Sequence, residues 1–189
     1  GSAEYCGVVG EIDVIMGALG KAVCTIAAFV CGSSVLIEYL MNRARSFIFT
    51  TASPPALAAA TLQALRIVNS EPERRTMLRS NARYLRAGLR EIGHSSTGED
   101  DGYIVPIALG ESERTTSVGN AVREAGYLVG AVRPPTVPMG QSRLRITVST
   151  AHNASHIDAL VGAIAAGLNR RRSCQASSPR TRAISGTHT

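Results

Sequence analysis

Apolar positions along the chain change period several times, and each change predicts an element. Residues 12–17, IDVIMG, alternate and are rich in β-branched side chains, which predicts a strand ending at Gly17. Residues 25–32, TIAAFVCG, form a continuous run of small and apolar side chains, the pattern of a strand buried on both faces. Lys21 then falls in a tight connection between two core strands, between Gly17 and the neighbouring Gly20. After Ser33 and Ser34, either of which suits a helix cap, VLIEYLMNRAR places Val35, Leu36, Tyr39 and Leu40 on one helical face. SFIFTTA, residues 46–52, reads as extended and leads into Pro54-Pro55, where Pro55 opens a helix through Ser70 because a missing N–H costs nothing in a first turn. Residues 71–93 then predict a long helix with acid at its start, Leu78, Ala82, Leu85 and Leu89 as its apolar stripe, and Gly93 at its end.

From Tyr103 the pattern becomes strand, helix, strand, strand, helix: 103–110, 112–126, 127–138 running into a proline-rich turn, 142–149 and 153–169. The fold class is α/β, in two parts. Residues 1–92 read as the C-terminal part of a larger lobe that includes the long interlobe helix, because two strands and two helices do not make an independent sheet domain. Residues 93–169 read as a small, complete α+β lobe.

Composition adds a third region. Net charge is +6, and much of the excess lies in residues 170–189, where Arg, Ser, Pro and Thr alternate with few large apolar groups; this predicts a disordered basic tail. No aromatic side chains interleave with that charge, which argues for a solvated end rather than nucleic-acid or membrane contact. Cys6, Cys24, Cys31 and Cys174 form no CxxC pair and have no zinc-ligand spacing, so they read as free thiols in a reducing compartment, the cytoplasm, with no metal. The N-terminal residues lack the basic-then-apolar pattern of a secretory signal.

Lys21 is the only lysine among 20 lysine and arginine residues. A lysine held between strands is desolvated, which lowers its pKa and makes the amine a nucleophile toward aldehydes; the alternative is a plain surface lysine. In RPPTVPMGQSRLRIT, residues 133–147, prolines stiffen the loop that presents Arg133 and Thr136. Arg143 and Arg145 share one face of the strand that follows, either as a charged outer face or as a clamp for a carboxylate, which needs the planar fork that lysine lacks. Thr50 and Thr51 precede the helix that opens at the prolines, where hydroxyls suit an anion such as phosphate or simply favour extended backbone.

In order and spacing together, IDVIMGALGKA, SFIFTTASPPA and RPPTVPMGQSRLRITVSTAH resemble segments of the α-oxoamine synthases, from about Ile12 to Leu168. The EPERR stretch of the interlobe helix is similar as well. The resemblance implies the pyridoxal 5'-phosphate (PLP) dependent transferase fold of the aspartate-aminotransferase class, with PLP as cofactor and an amino acid and an acyl thioester as substrates. Lys21 would hold PLP and later carry the α-proton. Thr50 and Thr51 would reach the cofactor phosphate of the neighbouring subunit of a homodimer, so that the active site is shared. Thr136 matches a substrate-contacting position, Arg145 the arginine that clamps the amino-acid carboxylate, and Arg133 a residue for the acyl group's distal carboxylate. Arg133 ahead of the prolines points to the branch that joins alanine to a pimeloyl thioester in biotin synthesis. The alternatives are sister enzymes that use glycine with an acetyl or succinyl thioester, and a non-catalytic fragment or partner subunit that keeps the fold. His152 matches a family position at the end of the last strand and reads as structural. The chain departs from the family pattern at Ala18, where a threonine binds the phosphate, and at Cys24 and Ala27, where glycines stand.

Overall fold

A computed structural model describes residues 1–176 of the chain, which form two units, Gly1–Pro72 and a second from Glu73 onward. In the first unit a short helix, α1 (Ser2–Tyr5), and a 3-10 turn at Val9–Glu11 precede an antiparallel pair, β1 (Ile15–Ala18) and β2 (Ala28–Cys31), in the register Ile15 to Cys31 and Ala18 to Ala28. The ring of Phe29 lies over Gly17, where an added Cβ would come within 2.6 Å of it. Then follow α2 (Ser34–Arg43), α3 (Arg45–Ile48) and α4 (Pro55–Ser70). Ser33 caps α2 by accepting the Leu36 N–H at 3.3 Å, and Pro55 opens α4, as the sequence predicts.

Three expectations for this unit are corrected. The run 25–32 is not a strand buried on both faces: β2 is four residues long and exposed throughout. Burial on both faces needs covered surfaces on each side, and among the described residues β1 and β2 pair only with each other. The segment 46–52 is not extended from its start, because α3 takes Ser46 to Ile48 into a helical turn closed by Ile48 N–H to Ala44 O and Phe49 N–H to Arg45 O. On α2, the half-buried positions are Leu36, Ile37 and Leu40, whereas Val35 and Tyr39 are exposed.

The second unit opens with α5 (Glu73–Glu91), followed by β3 (Ile104–Gly110), α6 (Ser112–Glu124), β4 (Gly130–Val132), β5 (Ser142–Thr147) and α7 (Ala154–Ala176). The sheet order is β3-β5-β4, with β5 antiparallel to both neighbours, so β3 and β4 run parallel and α6 is the crossover between them. Alternate residues of β3 (Val105, Ile107, Leu109) and β5 (Leu144, Ile146) face a core closed by Leu85 and Leu89 of α5, Val118 and Val122 of α6, and Ile157 and Ile164 of α7. Burying each such side chain contributes about 1.5–3 kcal/mol before entropy is counted, so these positions set the register of every element in the unit. The long helix assigned to the first lobe by sequence thus contributes to the core of the second unit, and the unit begins at Glu73. Gly93 ends it in the left-handed region at φ 79°, with the His94 N–H bonded to Leu89 O at 2.9 Å.

The closing helix passes the boundary expected at 169 and runs to Ala176; the rest of the expected basic tail lies outside the described residues. No helix among the described residues is long and apolar enough to cross a membrane.

Candidate active site

Lys21 sits in the connection between β1 and β2, a loop from Leu19 to Ala27. Leu19 N–H donates to Ala27 O at 2.9 Å and Thr25 N–H to Leu19 O at 3.1 Å, which closes the loop at its base. Leu19 and Thr25 are its buried residues, and the Thr61 hydroxyl of α4 donates at 2.9 Å to the Thr25 hydroxyl. The expectation that Lys21 is desolvated between core strands is corrected here: the side chain is exposed, because the connection is long enough to carry it clear of the ribbon. Among the described residues its ammonium has no hydrogen bond or ion pair. Its carbonyl oxygen, by contrast, accepts both the Cys24 N–H at 3.1 Å and the Cys24 thiol at 3.2 Å. Cys24 lies at φ 56°, the left-handed conformation that glycine adopts freely. Ala18, at the end of β1, offers no hydroxyl near the loop.

Thr50 and Thr51 are exposed in the segment between α3 and α4. The Thr50 N–H bonds to Phe47 O at 3.4 Å and its hydroxyl makes a long contact of 3.5 Å with Thr51 O. The structure therefore brings the two threonines to the approach to α4, in the same unit as Lys21.

The remaining candidates are in the second unit. Arg143 and Arg145 share the sheet face opposite the core, since Ser142, Leu144 and Ile146, which alternate with them along the strand, are buried. Their circumstances differ. Arg143 is engaged locally, its Nε donating to Gln141 O at 3.0 Å and a terminal nitrogen to Gln141 Oε1 at 3.2 Å. The Arg145 side chain is exposed, and its guanidinium makes no hydrogen bond or ion pair among the described residues. Its sheet neighbours are Gly130 on β4 and Pro106 on β3, neither of which carries a long side chain beside it. A guanidinium in that position has its whole fork free for a planar anion. Arg133 follows β4, and the Thr136 N–H donates to Arg133 O at 3.0 Å, closing a turn around the cis peptide Pro134-Pro135. Arg133 and Thr136, the first and last residues of that turn, are both exposed. His152 belongs to the turn between β5 and α7: its Nδ1 accepts the Ser149 N–H at 3.2 Å and its carbonyl oxygen accepts from the Asn81 amide at 2.7 Å.

Sequence reasoning missed Arg86. Only 2% exposed, it lies on the core face of α5 between Leu85 and Leu89. Its Nε donates to Asp100 O at 3.1 Å, one terminal nitrogen to Gly102 O at 3.1 Å and Ile104 O at 3.2 Å, and the other to the Ser96 hydroxyl and to Thr97 O. Burial pushes its pKa down, opposed by the charge of Asp100. The signal was available: Arg86 stands four residues after Ala82 and three before Leu89, inside the apolar stripe.

Residues 1–164 match the family described as aminotransferase class I and II. Among curated relatives, the 8-amino-7-oxononanoate synthase of Methylococcus capsulatus is 46% identical over 166 residues, which is 87% of this chain and 43% of the relative. That of Anaeromyxobacter dehalogenans strain 2CP-1 is 45% identical over 168 residues, 89% of this chain and 42% of the relative. The chain thus spans less than half the length of the curated relatives it matches. Among solved structures, SPT with a PLP internal aldimine superposes with a TM-score of 0.85 at 30% identity, covering 92% of this chain and 44% of the other. The 8-amino-7-oxononanoate synthase of Francisella tularensis, at 24% identity, shares the fold with a TM-score of 0.74 over 84% of this chain and 46% of its own. The α/β fold of the PLP-dependent transferases expected from the sequence is therefore the fold observed, and the chain belongs to the aminotransferase class I and II family.

Proposed function

We propose that this chain carries the covalent lysine and the carboxylate-binding lobe of a PLP-dependent acyltransferase that condenses L-alanine with a pimeloyl thioester in biotin synthesis, the reading to which Arg133 ahead of Pro134-Pro135 points, and its relatives include proteins named 8-amino-7-oxononanoate synthase. One observation carries the reading: the Lys21 amine is exposed, and unpartnered among the described residues, on a loop pinned through the lysine's own carbonyl oxygen. A primary amine so presented fits an aldehyde cofactor, whereas a guanidinium stays protonated and forms no such bond. Ala18 supplies no hydroxyl, so the phosphate falls to Thr50 and Thr51, each serving the lysine of a second copy in a homodimer. When bound, PLP supplies an electron sink for the amino acid's α-carbon.

The chain's own residues do the rest. Lys21 Nζ holds the cofactor and carries the proton taken from the α-carbon. The free fork of Arg145 orients the amino acid through its carboxylate by two parallel N–H···O bonds. Arg133 and Thr136 contact the acyl substrate from their turn, with Arg133 toward a distal carboxylate. Among the described residues, the free, exposed thiols of Cys6, Cys24 and Cys31 suit a reducing compartment such as the cytoplasm.

Titration of the chain with PLP tests this. A visible absorbance band that disappears in Lys21→Ala is expected, and its absence would sink the covalent role of this lysine. Product formation from alanine and a pimeloyl thioester, compared with glycine and acetyl or succinyl thioesters, decides the substrate pair. A second reading, a partner that keeps the fold without turnover, is favoured by Ala18 and by the left-handed backbone at Cys24.

A further inference from the structure

A cleft of about 670 Å³ opens between α6 and β4, lined among others by Thr116, Gly119, Asn120, Arg123, Ala131 and Arg133. Among the described residues β4 is an edge strand, paired only with β5. Thr116, Gly119, Asn120 and Arg123 recur at three- and four-residue intervals and therefore form one face of α6. Two guanidinium groups enter from different walls, Arg123 from the last turn of α6 and Arg133 from the residue after β4. Neither has a hydrogen bond or ion pair among the described residues. The acid next to Arg123, Glu124, is already taken by Arg170 at 2.8 Å. The Thr116 hydroxyl donates to Ser112 O at 2.9 Å, whereas the exposed Asn120 amide remains available as a third donor.

Two like charges that share one cleft without a counter-charge repel, and an oxyanion between them removes the repulsion and satisfies the donors. The small side chains opposite the arginines matter as well: a Cβ at Gly119 would meet Ala131 Cβ at 3.4 Å, so the helix lies close against the strand below the open part of the cleft.

We propose that the cleft between α6 and β4 binds an oxyanion carried by the thioester substrate, and that Arg123 is a specificity-determining residue acting jointly with Arg133. The inference rests on the reading of the chain as an acyltransferase. Carboxylate at the far end of an acyl chain and phosphate on the thioester's carrier share the required chemistry.

Binding of heptanedioate and of inorganic phosphate to the whole chain, followed by calorimetry and by the arginine Nε–Hε resonances, tests this without cofactor or turnover. Saturable binding is expected, weakened about tenfold or more in Arg123→Gln and likewise in Arg133→Gln, and unchanged in Arg143→Gln. Preference for heptanedioate assigns the site to the acyl end, preference for phosphate to the carrier, and either supports it. No saturable binding, or wild-type binding by an Arg123→Gln protein with an unaltered circular dichroism spectrum, overturns the proposal. Because the readout is independent of Lys21, loss of the anion site with an intact Lys21-dependent absorbance band overturns the cleft alone. The converse overturns the acyltransferase reading and, with it, the thioester as the source of the oxyanion, while the anion cleft itself stands.

Discussion

Cys24 grips Lys21 through a single atom: both its backbone N–H, at 3.1 Å, and its thiol, at 3.2 Å, point to the Lys21 carbonyl oxygen, while its own backbone sits at φ 56°. The left-handed conformation costs a residue with a Cβ about 1–2 kcal/mol, and a thiol hydrogen bond returns only part of that. Glycine removes the strain but loses about 0.5–1 kcal/mol of backbone entropy on folding. Cys24→Gly is therefore expected to stabilise the chain by less than about 1 kcal/mol, and Cys24→Ala, which keeps the Cβ and loses the thiol, to destabilise it. Thermal unfolding of the two variants decides the matter: a Cys24→Gly protein less stable than Cys24→Ala would show that relief of left-handed strain does not outweigh the glycine's extra backbone entropy. If Lys21 binds PLP, Cys24→Gly should also bind it at least as tightly.

Arg86 ties the segment 96–104 to α5 through four carbonyl oxygens and one hydroxyl. In Arg86→Leu these acceptors lose their donor in a site where the arginine was only 2% exposed. A loss of about 3 kcal/mol or more is expected in urea unfolding of the full chain, because unsatisfied buried acceptors cost about 1–3 kcal/mol each and some find water. Arg86→Lys should recover only part of it, since one ammonium cannot span acceptors that a planar fork reaches from both sides. Equal stabilities for the leucine and lysine variants would refute this account.

The two units were legible to different degrees, and the reason is where each finds its burial. In the second unit the period-two pattern of β3 and β5 and the stripe Leu78, Ala82, Leu85 and Leu89 predict the elements closely, because the chain buries these side chains against one another. In the first unit TIAAFVCG has the composition of a buried strand, yet Phe29 and Val30 remain 41% and 42% exposed, so the pattern states what the segment suits rather than what covers it here. For the candidate site, residue type was readable and circumstance was not. Arg143 and Arg145 are equivalent by alternation, and only the Gln141 side chain and backbone, two residues before Arg143, distinguish the engaged guanidinium from the free one. Arg123 carried no motif at all; it acquires significance because α6 turns it toward the cleft that Arg133 enters.

α7 offers a comparison in which one substitution has different consequences. At Gly162 an added Cβ meets nothing within 4 Å, whereas at Gly167 it meets Ala121 Cβ and Val118 Cγ1, both at 3.3 Å. Replacing glycine by alanine inside a helix gains up to about 1 kcal/mol of propensity. Gly162→Ala should realise most of that gain. In Gly167→Ala the contact with α6 is tighter than ordinary packing, so the gain shrinks or reverses, and Gly167→Leu should cost about 1–3 kcal/mol by overpacking. Chemical denaturation midpoints test the ranking, and a Gly167→Leu protein as stable as Gly162→Ala would show that α6 and α7 are not packed as closely as described.

Stability should fall at both ends of the pH scale for separate reasons. Burial, with a smaller contribution from the charge of Arg114, pushes the His94 pKa below its ordinary value of 6.5. Above that value folded and unfolded chains are both neutral at His94 and its contribution is complete. As pH falls the unfolded chain takes up the proton first, and stability is lost until the folded pKa is passed. Tyr84 works in the opposite sense: its hydroxyl donates to Asp158 Oδ1 at 2.8 Å, and that hydrogen bond, followed by the carboxylate's charge, raises its pKa above 10.0. Its contribution is complete below the unfolded value and disappears as pH rises through the folded one. His94→Gln should therefore flatten the acid limb of a stability profile without moving the alkaline one, and Tyr84→Phe should do the reverse. Ultraviolet titration of the tyrosines adds a direct check, since Tyr84→Phe should remove the component that ionises late. A profile in which both substitutions change the same limb would mean that the two groups are coupled, contrary to their separate partners.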